Sequence, residues 1–304
     1  MLNNSDTQST PREPKHVRMF VNRVDEHQKF ENLVKIPADE RDEFILAFYG
    51  DTGMGKSLLL RKLEYECEKR NIATAFIILD REGSDMNNPI EVMRFLANNL
   101  GKEGFAEWFD KENEWFSRLD INNQSQQTNV SLKGEHVEVH GDAIGGSKYV
   151  NSTVNYAATS QAALNPQGAQ SALTETFLKI LRKFVEKKAA VIIFDGFDSN
   201  VLTSSVRTWM SDNFLNPPDD FGGYGVLSII SLLKPPDFSY DPKLQERITQ
   251  FHLKPLTREH IIEFFQKRKI SEEKIVEQIE DCLSETEGIP SRIYNFYIEK
   301  LSNP

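Results

Sequence analysis

Apolar positions along this chain fall into a few short unbroken runs, separated by longer stretches in which they recur every three or four residues. Phe44-Ile45-Leu46-Ala47-Phe48-Tyr49 is such a run, within 42–49, and it stops at Gly50, as a buried strand entering a glycine loop would. Beyond Lys56 and Ser57, the positions Leu58, Leu59, Leu60 and Leu63 predict a helix running to about Arg70. Ile72 to Leu79 predicts a second strand, and Pro89, suited to a first helical turn, opens a helix to about Leu100. The order strand, loop, helix, strand, helix predicts an α/β domain with a mostly parallel sheet and helices packed on its faces.

The rhythm breaks near Gly101. Residues 122–170 are rich in Asn, Gln, Ser, Ala and Gly, too small and polar for a main core, and read as an insert. Within it Val130-Ser131-Leu132, Val137-Glu138-Val139 and Ser152-Thr153-Val154-Asn155-Tyr156 alternate between glycines, so small β-strands and a flexible linker both remain open. The main pattern resumes with a helix from about Ser171 to Lys188, then a strand from Ala189 to Asp195, the most apolar run of the chain. Val226 to Leu233 and Ile248 to Leu253 predict two more strands. After Pro255 the pattern is wholly helical: Thr257 is placed as an N-cap, and further helices are expected at about Ser271 to Thr286 and Ser291 to Ser302. The expected organisation is a loose arm at 1–16, a core at 17–255 carrying the insert at 122–170, and a small all-helical piece at 256–304.

Composition adds bounds. The 304 residues are 39% hydrophobic and 27% charged, an ordinary globular mixture, and the net charge of -10 argues against a whole-surface attraction to nucleic acid or anionic membrane. Cys67 and Cys282 lie far apart, which indicates neither a disulfide framework nor a cysteine metal site and suits a reducing cytoplasm. There is no apolar run near the roughly 18 residues of a membrane span, and 1–14 lacks the apolar stretch of a secretory signal, so a soluble cytoplasmic protein is expected. His136 and His140 have no cysteines nearby and read as surface residues rather than metal ligands, while Trp108, Trp115 and Phe116 read as a packing cluster rather than a base-stacking platform.

One motif changes the picture. Gly50-Asp51-Thr52-Gly53-Met54-Gly55-Lys56-Ser57 follows a predicted strand and opens a predicted helix, the context a phosphate-binding loop (Walker A) requires. Glycines let backbone N–H groups approach phosphate closely, Lys56 is placed to reach the β and γ phosphates, and the Ser57 hydroxyl is placed for Mg²⁺. Leu58 continues the same turn. Its four fixed positions arise by chance in about one chain of this length per hundred. A second carboxylate at the end of a neighbouring strand is needed to help hold the metal, and Asp195, closing Val191-Ile192-Ile193-Phe194, fills that place. Asp198, just behind it in Asp195-Gly196-Phe197-Asp198, is the candidate to orient or activate the attacking water.

With these motifs in order, the chain resembles the AAA+-related STAND and origin-recognition-like class of P-loop ATPases over about 17–120 and 171–304. Phe20-Val21-Asn22-Arg23-Val24 is similar to the entry motif of two apolar residues followed by Gly-Arg-Glu, with Asn22 and Val24 differing; the resemblance implies that Phe20, Val21 and Arg23 flank the adenine. The glycine after Asp195 resembles the STAND form of the acidic strand end. Ile229 to Lys234 stands where the sensor strand would be, making Ser231 the candidate γ-phosphate sensor. Gly288-Ile289-Pro290-Ser291-Arg292 resembles the Gly-x-Pro motif of a helical lid, which implies that Pro290 and Arg292 complete the pocket.

The resemblance implies a P-loop NTPase sheet under a small helical lid, binding ATP or ADP with Mg²⁺, and a nucleotide-controlled assembly or signalling switch with low ATPase turnover. A non-hydrolysing nucleotide-gated scaffold is the main alternative. An origin-recognition-like DNA-associated ATPase is the second; nucleic acid is not otherwise indicated, since Lys267-Arg268-Lys269 reads as a solvated helix end. Residues 139–150 also resemble glycine- and aspartate-containing β repeats found beside NTPase domains in some bacterial STAND-like proteins, so homo-oligomers through the core or the insert are expected. The effector or protein partner is not specified.

Overall fold

The structure is a computed structural model, and it describes residues 13–37, 40–79, 86, 88–117, 166–215, 226–237 and 242–302. The strands are β1 (Ile45–Tyr49), β2 (Ala73–Ile78), β3 (Ala190–Asp195), β4 (Val226–Leu232) and β5 (Ile248–His252). The helices are α1 (Lys15–Arg18), α2 (Val24–Lys35), α3 (Lys56–Lys69), α4 (Pro89–Gly101), α5 (106–117), α6 (Pro166–Val185), α7 (Ser204–Met210), α8 (Pro242–Glu246), α9 (Arg258–Lys267), α10 (Glu272–Thr286) and α11 (Pro290–Phe296), the last running on into a π-turn at Tyr297–Leu301.

The five strands form one parallel sheet in the order β2-β3-β4-β1-β5. This corrects one expectation: Asp195 does not end a strand beside β1, because β4 lies between β1 and β3. The register sets Phe48 against Ser231 and Phe194 against Ile230. Since all strands are parallel, Gly50, Asp195 and Ser231 emerge at the same, carboxyl edge of the sheet, the edge at which open α/β sheets form their ligand crevice. The central strands β3 and β4 are buried throughout, which is why they read as predominantly apolar runs; Ser228 and Ser231 are the buried polar positions of β4. Edge strand β5 buries Ile248 but exposes alternate positions, as an edge tolerates.

Helix α3 buries Leu59, Leu60, Leu63 and Cys67, spaced one, four and eight residues from the first, against Phe48, Ile193 and Ile229 of the sheet. Truncating a side chain such as Leu60, which has no exposed surface, costs about 2–5 kcal/mol by lost transfer energy and cavity formation. The C-terminal helices α9, α10 and α11 have a core of their own, built from Ile261, Phe265, Ile275, Ile279, Ile293 and Phe296, and it reaches back to Val21. Side-chain caps start two of the helices. Asn88 accepts from the N–H groups of Ile90 and Glu91 at the head of α4, and Ser271 accepts from Lys274 at the head of α10.

Two compact units divide the chain, one of Met1–Phe105 with Leu178–Pro304 and one of Ala106–Phe177. In the second, Trp108 is fully buried, donates to the Leu173 carbonyl at 3.1 Å and meets Phe109 and Phe177 edge-on. Trp115 is half-buried and Phe116 is exposed, so Trp108 carries the packing of the predicted aromatic trio. Helix α6 starts at Pro166 rather than near Ser171, so the last five residues assigned to the insert are helical; Pro166 occupies a first turn, where it costs nothing. The predicted β runs between Val130 and Tyr156, His136, His140 and the repeat-like 139–150 lie outside the described residues. No helix among the described residues is long and apolar enough to cross a membrane.

Candidate functional site

The loop between β1 and α3 folds as its sequence demands. Gly53 and Gly55 have φ of +89° and +87°, a region that side chains rarely adopt, and Gly55 is the N-cap of α3. That helix has 14 residues, no side chain capping its N-terminus and no acidic residue in its first turn. Its leading N–H groups and the positive end of its dipole therefore face the loop with no built-in anion, which fits a phosphate. Lys56 Nζ donates to the Gly50 carbonyl at 2.6 Å and to the Asp51 carbonyl at 2.9 Å, pinning the ammonium over the loop. Ser57 is exposed at the first turn of α3.

Arg23 explains why the entry segment sits here. Asn22 and Arg23 both have left-handed backbones, with φ of +62° and +67°. Asn is among the few residues other than glycine that tolerate this conformation, so Asn22 suits this turn. The guanidinium of Arg23, 6% exposed, donates to the Met54 carbonyl at 3.0 Å and the Lys254 carbonyl at 2.8 Å, joining the entry segment to the loop and to the chain leaving β5. Burial draws its pKa below the ordinary arginine value, opposed by Glu26 at 3.8 Å.

The ends of β3 and β4 are cross-linked beyond their strand pairing. Ser231 Oγ donates to Asp195 Oδ1 at 2.5 Å and accepts from Gly196 N at 2.8 Å, and Phe197 N donates to the Ser231 carbonyl at 2.9 Å. Asp198 Oδ2 accepts from Leu233 N at 2.7 Å. From the C-terminal helices, Ser291 N donates to the Gly53 carbonyl at 3.2 Å, and Pro290 lies over Gly55. This seating depends on Gly288: its carbonyl accepts from Leu256 N at 2.7 Å, and a Cβ there would lie 2.3 Å from the Leu256 carbonyl oxygen.

These parts border a cleft of about 1080 Å³, just above the roughly 300–1,000 Å³ usual for small-ligand sites. From the loop, Thr52 to Leu58 line it; from the entry segment, Phe20, Val21 and Arg23; from the strand ends, Asp195, Asp198 and Ser231; from the C-terminal helices, Pro290. Gly50 and Asp51 build the turn instead of lining the cleft. Arg292 departs from its expected place: it pairs with Glu287 at 2.7 Å, is 53% exposed and is not part of the lining. Ser291 faces Gly53, and one residue further along a helix is about 100° around it, so Arg292 is turned away.

Sequence reasoning missed Lys15 of α1 and Met19 just after it, and Phe264, Tyr294 and Asn295 of the C-terminal helices, all of which line the cleft; Arg268, expected at a solvated helix end, is instead half-buried and lines it too. The Arg268 guanidinium lies 3.4 Å from the centre of the Phe264 ring and burial lowers its pKa. The available signal was the apolar and aromatic spacing of α9 and α11, which shows a buried face without showing what it faces.

Behind the site, His27, Glu31 and Glu66 bring ligand atoms together between α2 and α3. Lys62, at 3.0 Å, and Lys69, at 3.3 Å, already neutralise Glu66, and Arg70 pairs with both carboxylates, so the group is an ion-pair network without the surplus negative charge a cation needs. Burial pushes the Cys67 thiol up to about 12 and the Cys282 thiol up to about 11, which leaves both unreactive.

No family model matches this chain, and neither does any curated protein. Among solved structures it is similar to Cdc6p from Pyrobaculum aerophilum, at 13% identity over 86% of this chain and 52% of that one, with a TM-score of 0.42. It is also similar to Drosophila ORC, solved bound to DNA, at 13% identity over 89% of this chain and 57% of that one, with a TM-score of 0.44. The chain thus spans just over half the length of each.

Proposed function

We propose that this chain binds ATP and ADP with Mg²⁺ and acts as a nucleotide-controlled assembly or signalling switch of the STAND or origin-recognition-like kind, with slow ATP hydrolysis. The observation that supports this reading is the loop at Gly50 to Ser57, a glycine-rich strand-to-helix turn onto an uncapped helix N-terminus, at the edge of the sheet where Asp195 also emerges. Backbone N–H groups at the head of α3 and the Lys56 ammonium hold phosphate oxygens. Ser57 and Asp195 are the residues to hold the cation, which when bound neutralises phosphate charge and polarises the terminal phosphoryl group. Phe20, Val21 and Arg23 border the base.

The C-terminal helices form the lid. Because Ser291 and Pro290 rest directly on Gly53 and Gly55, any adjustment of the loop around phosphate is passed to α11. Slow turnover follows from the chemistry of the strand end: glycine rather than an acid follows Asp195, and the nearest further carboxylate, Asp198, already accepts from Leu233 N. That same bond favours the second reading, a scaffold that binds nucleotide and exchanges it without cutting it. Light scattering tests the switch: particle mass should differ between ATP, ADP and nucleotide-free protein. One mass under all three conditions rejects it.

A further inference from the structure

Ser231 occupies the structural middle of the site. Its strand, β4, runs between the strand that carries the phosphate loop and the strand that ends in Asp195, and the side chain is 1% exposed. The partners of its hydroxyl can be assigned proton by proton. Gly196 N–H only donates, so it takes a lone pair of Oγ at 2.8 Å. The single hydroxyl hydrogen is donated to Asp195 Oδ1 at 2.5 Å. No hydrogen is left for a phosphate oxygen. The Ser231 backbone is fixed as well, paired with Phe48 on one side and accepting from Phe197 N on the other. Among the described residues no hydrogen bond uses Asp195 Oδ2, and Asp195 lines the cleft.

We propose that Ser231 is a positioning residue for Asp195: it fixes Oδ1 so that Oδ2 is the oxygen presented to the cation, and it does not itself touch the γ-phosphate. The proposal rests on the Mg-nucleotide reading above. The terminal torsion of an aspartate is broad and roughly two-fold, so a carboxylate without a fixed partner samples orientations that do not serve a metal. A short O–H···O⁻ bond removes that freedom. Gly196 makes the arrangement compact, because the same hydroxyl also closes the turn that directs the chain away from Asp195. The pairing therefore distinguishes two roles for a polar residue at this place. A phosphate contact would contribute to nucleotide affinity with or without metal, whereas a carboxylate anchor contributes only through the metal.

The test is a pair of titrations on the full chain, wild type and Ser231→Ala: Mn²⁺ into the protein saturated with ATP, followed by electron paramagnetic resonance, and a fluorescent ATP analogue in EDTA. Removing a group that orients a metal ligand weakens metal affinity by about 10–100-fold, and here the EDTA affinity should move by less than about two-fold. Ser231→Cys keeps the side chain near its size with a weaker donor, and should lose Mn²⁺ affinity in the same direction if Ser231→Ala does not fold. Unchanged Mn²⁺ affinity in the folded variants overturns the proposal, and so does an equal loss in EDTA, which would mean a direct phosphate contact. Wild type that binds no nucleotide in either titration rejects the nucleotide reading itself, before any variant is compared.

Discussion

Replacing Gly53 with alanine strikes both the phosphate loop and the seat of the C-terminal helices. At φ +89° an L-residue costs about 1–2 kcal/mol in backbone strain. The added Cβ would lie 2.3 Å from Ser291 Oγ and 3.3 Å from Ser291 Cβ, so the head of α11 must withdraw. Withdrawal loses the 3.2 Å bond from Ser291 N to the Gly53 carbonyl, worth about 0.5–1.5 kcal/mol net. The expected loss is about 1.5–3.5 kcal/mol. Because part of it belongs to the contact, the assay is a double-mutant cycle in urea with Gly53→Ala, Ser291→Gly and both together. Removing the Ser291 side chain should leave mainly the backbone strain, so Gly53→Ala should cost about 0.5–1.5 kcal/mol less in the Ser291→Gly background. An identical cost in both backgrounds would refute the argument that α11 rests on the phosphate loop.

Arg23→Met removes two charge-assisted bonds, one buried at 3.0 Å and one part-buried at 2.8 Å, and should destabilise the chain by about 2–5 kcal/mol in denaturant unfolding; a loss below about 1 kcal/mol would show that the entry segment is not anchored there. Burial holds His27 below its ordinary pKa of 6.5, against the opposing pull of Glu31 and Glu66. The unfolded chain therefore takes up that proton first, and stability should fall as pH drops below 6.5 toward the folded value. His27→Gln should flatten that part of the curve below pH 6.5, and parallel stability–pH curves for the two proteins would contradict the assignment. Asp198→Asn keeps an acceptor for Leu233 N but cannot take a proton, so it should keep Mg-ATP affinity and lose steady-state phosphate release; unchanged release would remove Asp198 from the chemistry.

The parts of the fold that were legible are those set by local pattern. β1 and most of β3 and β4 are apolar runs because both of their faces are covered, and the loop after β1 announces itself by glycines at positions that need positive φ. What stayed hidden depends on relations between distant segments. The strand order, which places Ser231 between the loop and Asp195, cannot be read from strands one at a time. Arg23 looks like a surface cation until its two carbonyl partners, one of them 231 residues away, come together. Arg292 was expected in the pocket because the motif fixes which residues follow Pro290 but not the rotation of α11, and the rotation gives that place to Ser291. Tyr294 sits in ordinary helical spacing, and Arg268 reads as part of a solvated helix end; only the packing of α9 and α11 brings both to the cleft, with Arg268 half-buried over Phe264.

Isothermal titration of Mg-ATP into wild type and Lys56→Ala tests the central claim most directly. Lys56 reaches over the loop from the first residue of α3, and its removal takes away the positive charge at the phosphate cradle. Saturable one-to-one binding to wild type, abolished in the variant, is the predicted result. No binding to wild type, or equal affinity in the two folded proteins, would contradict a nucleotide site at Gly50 to Ser57.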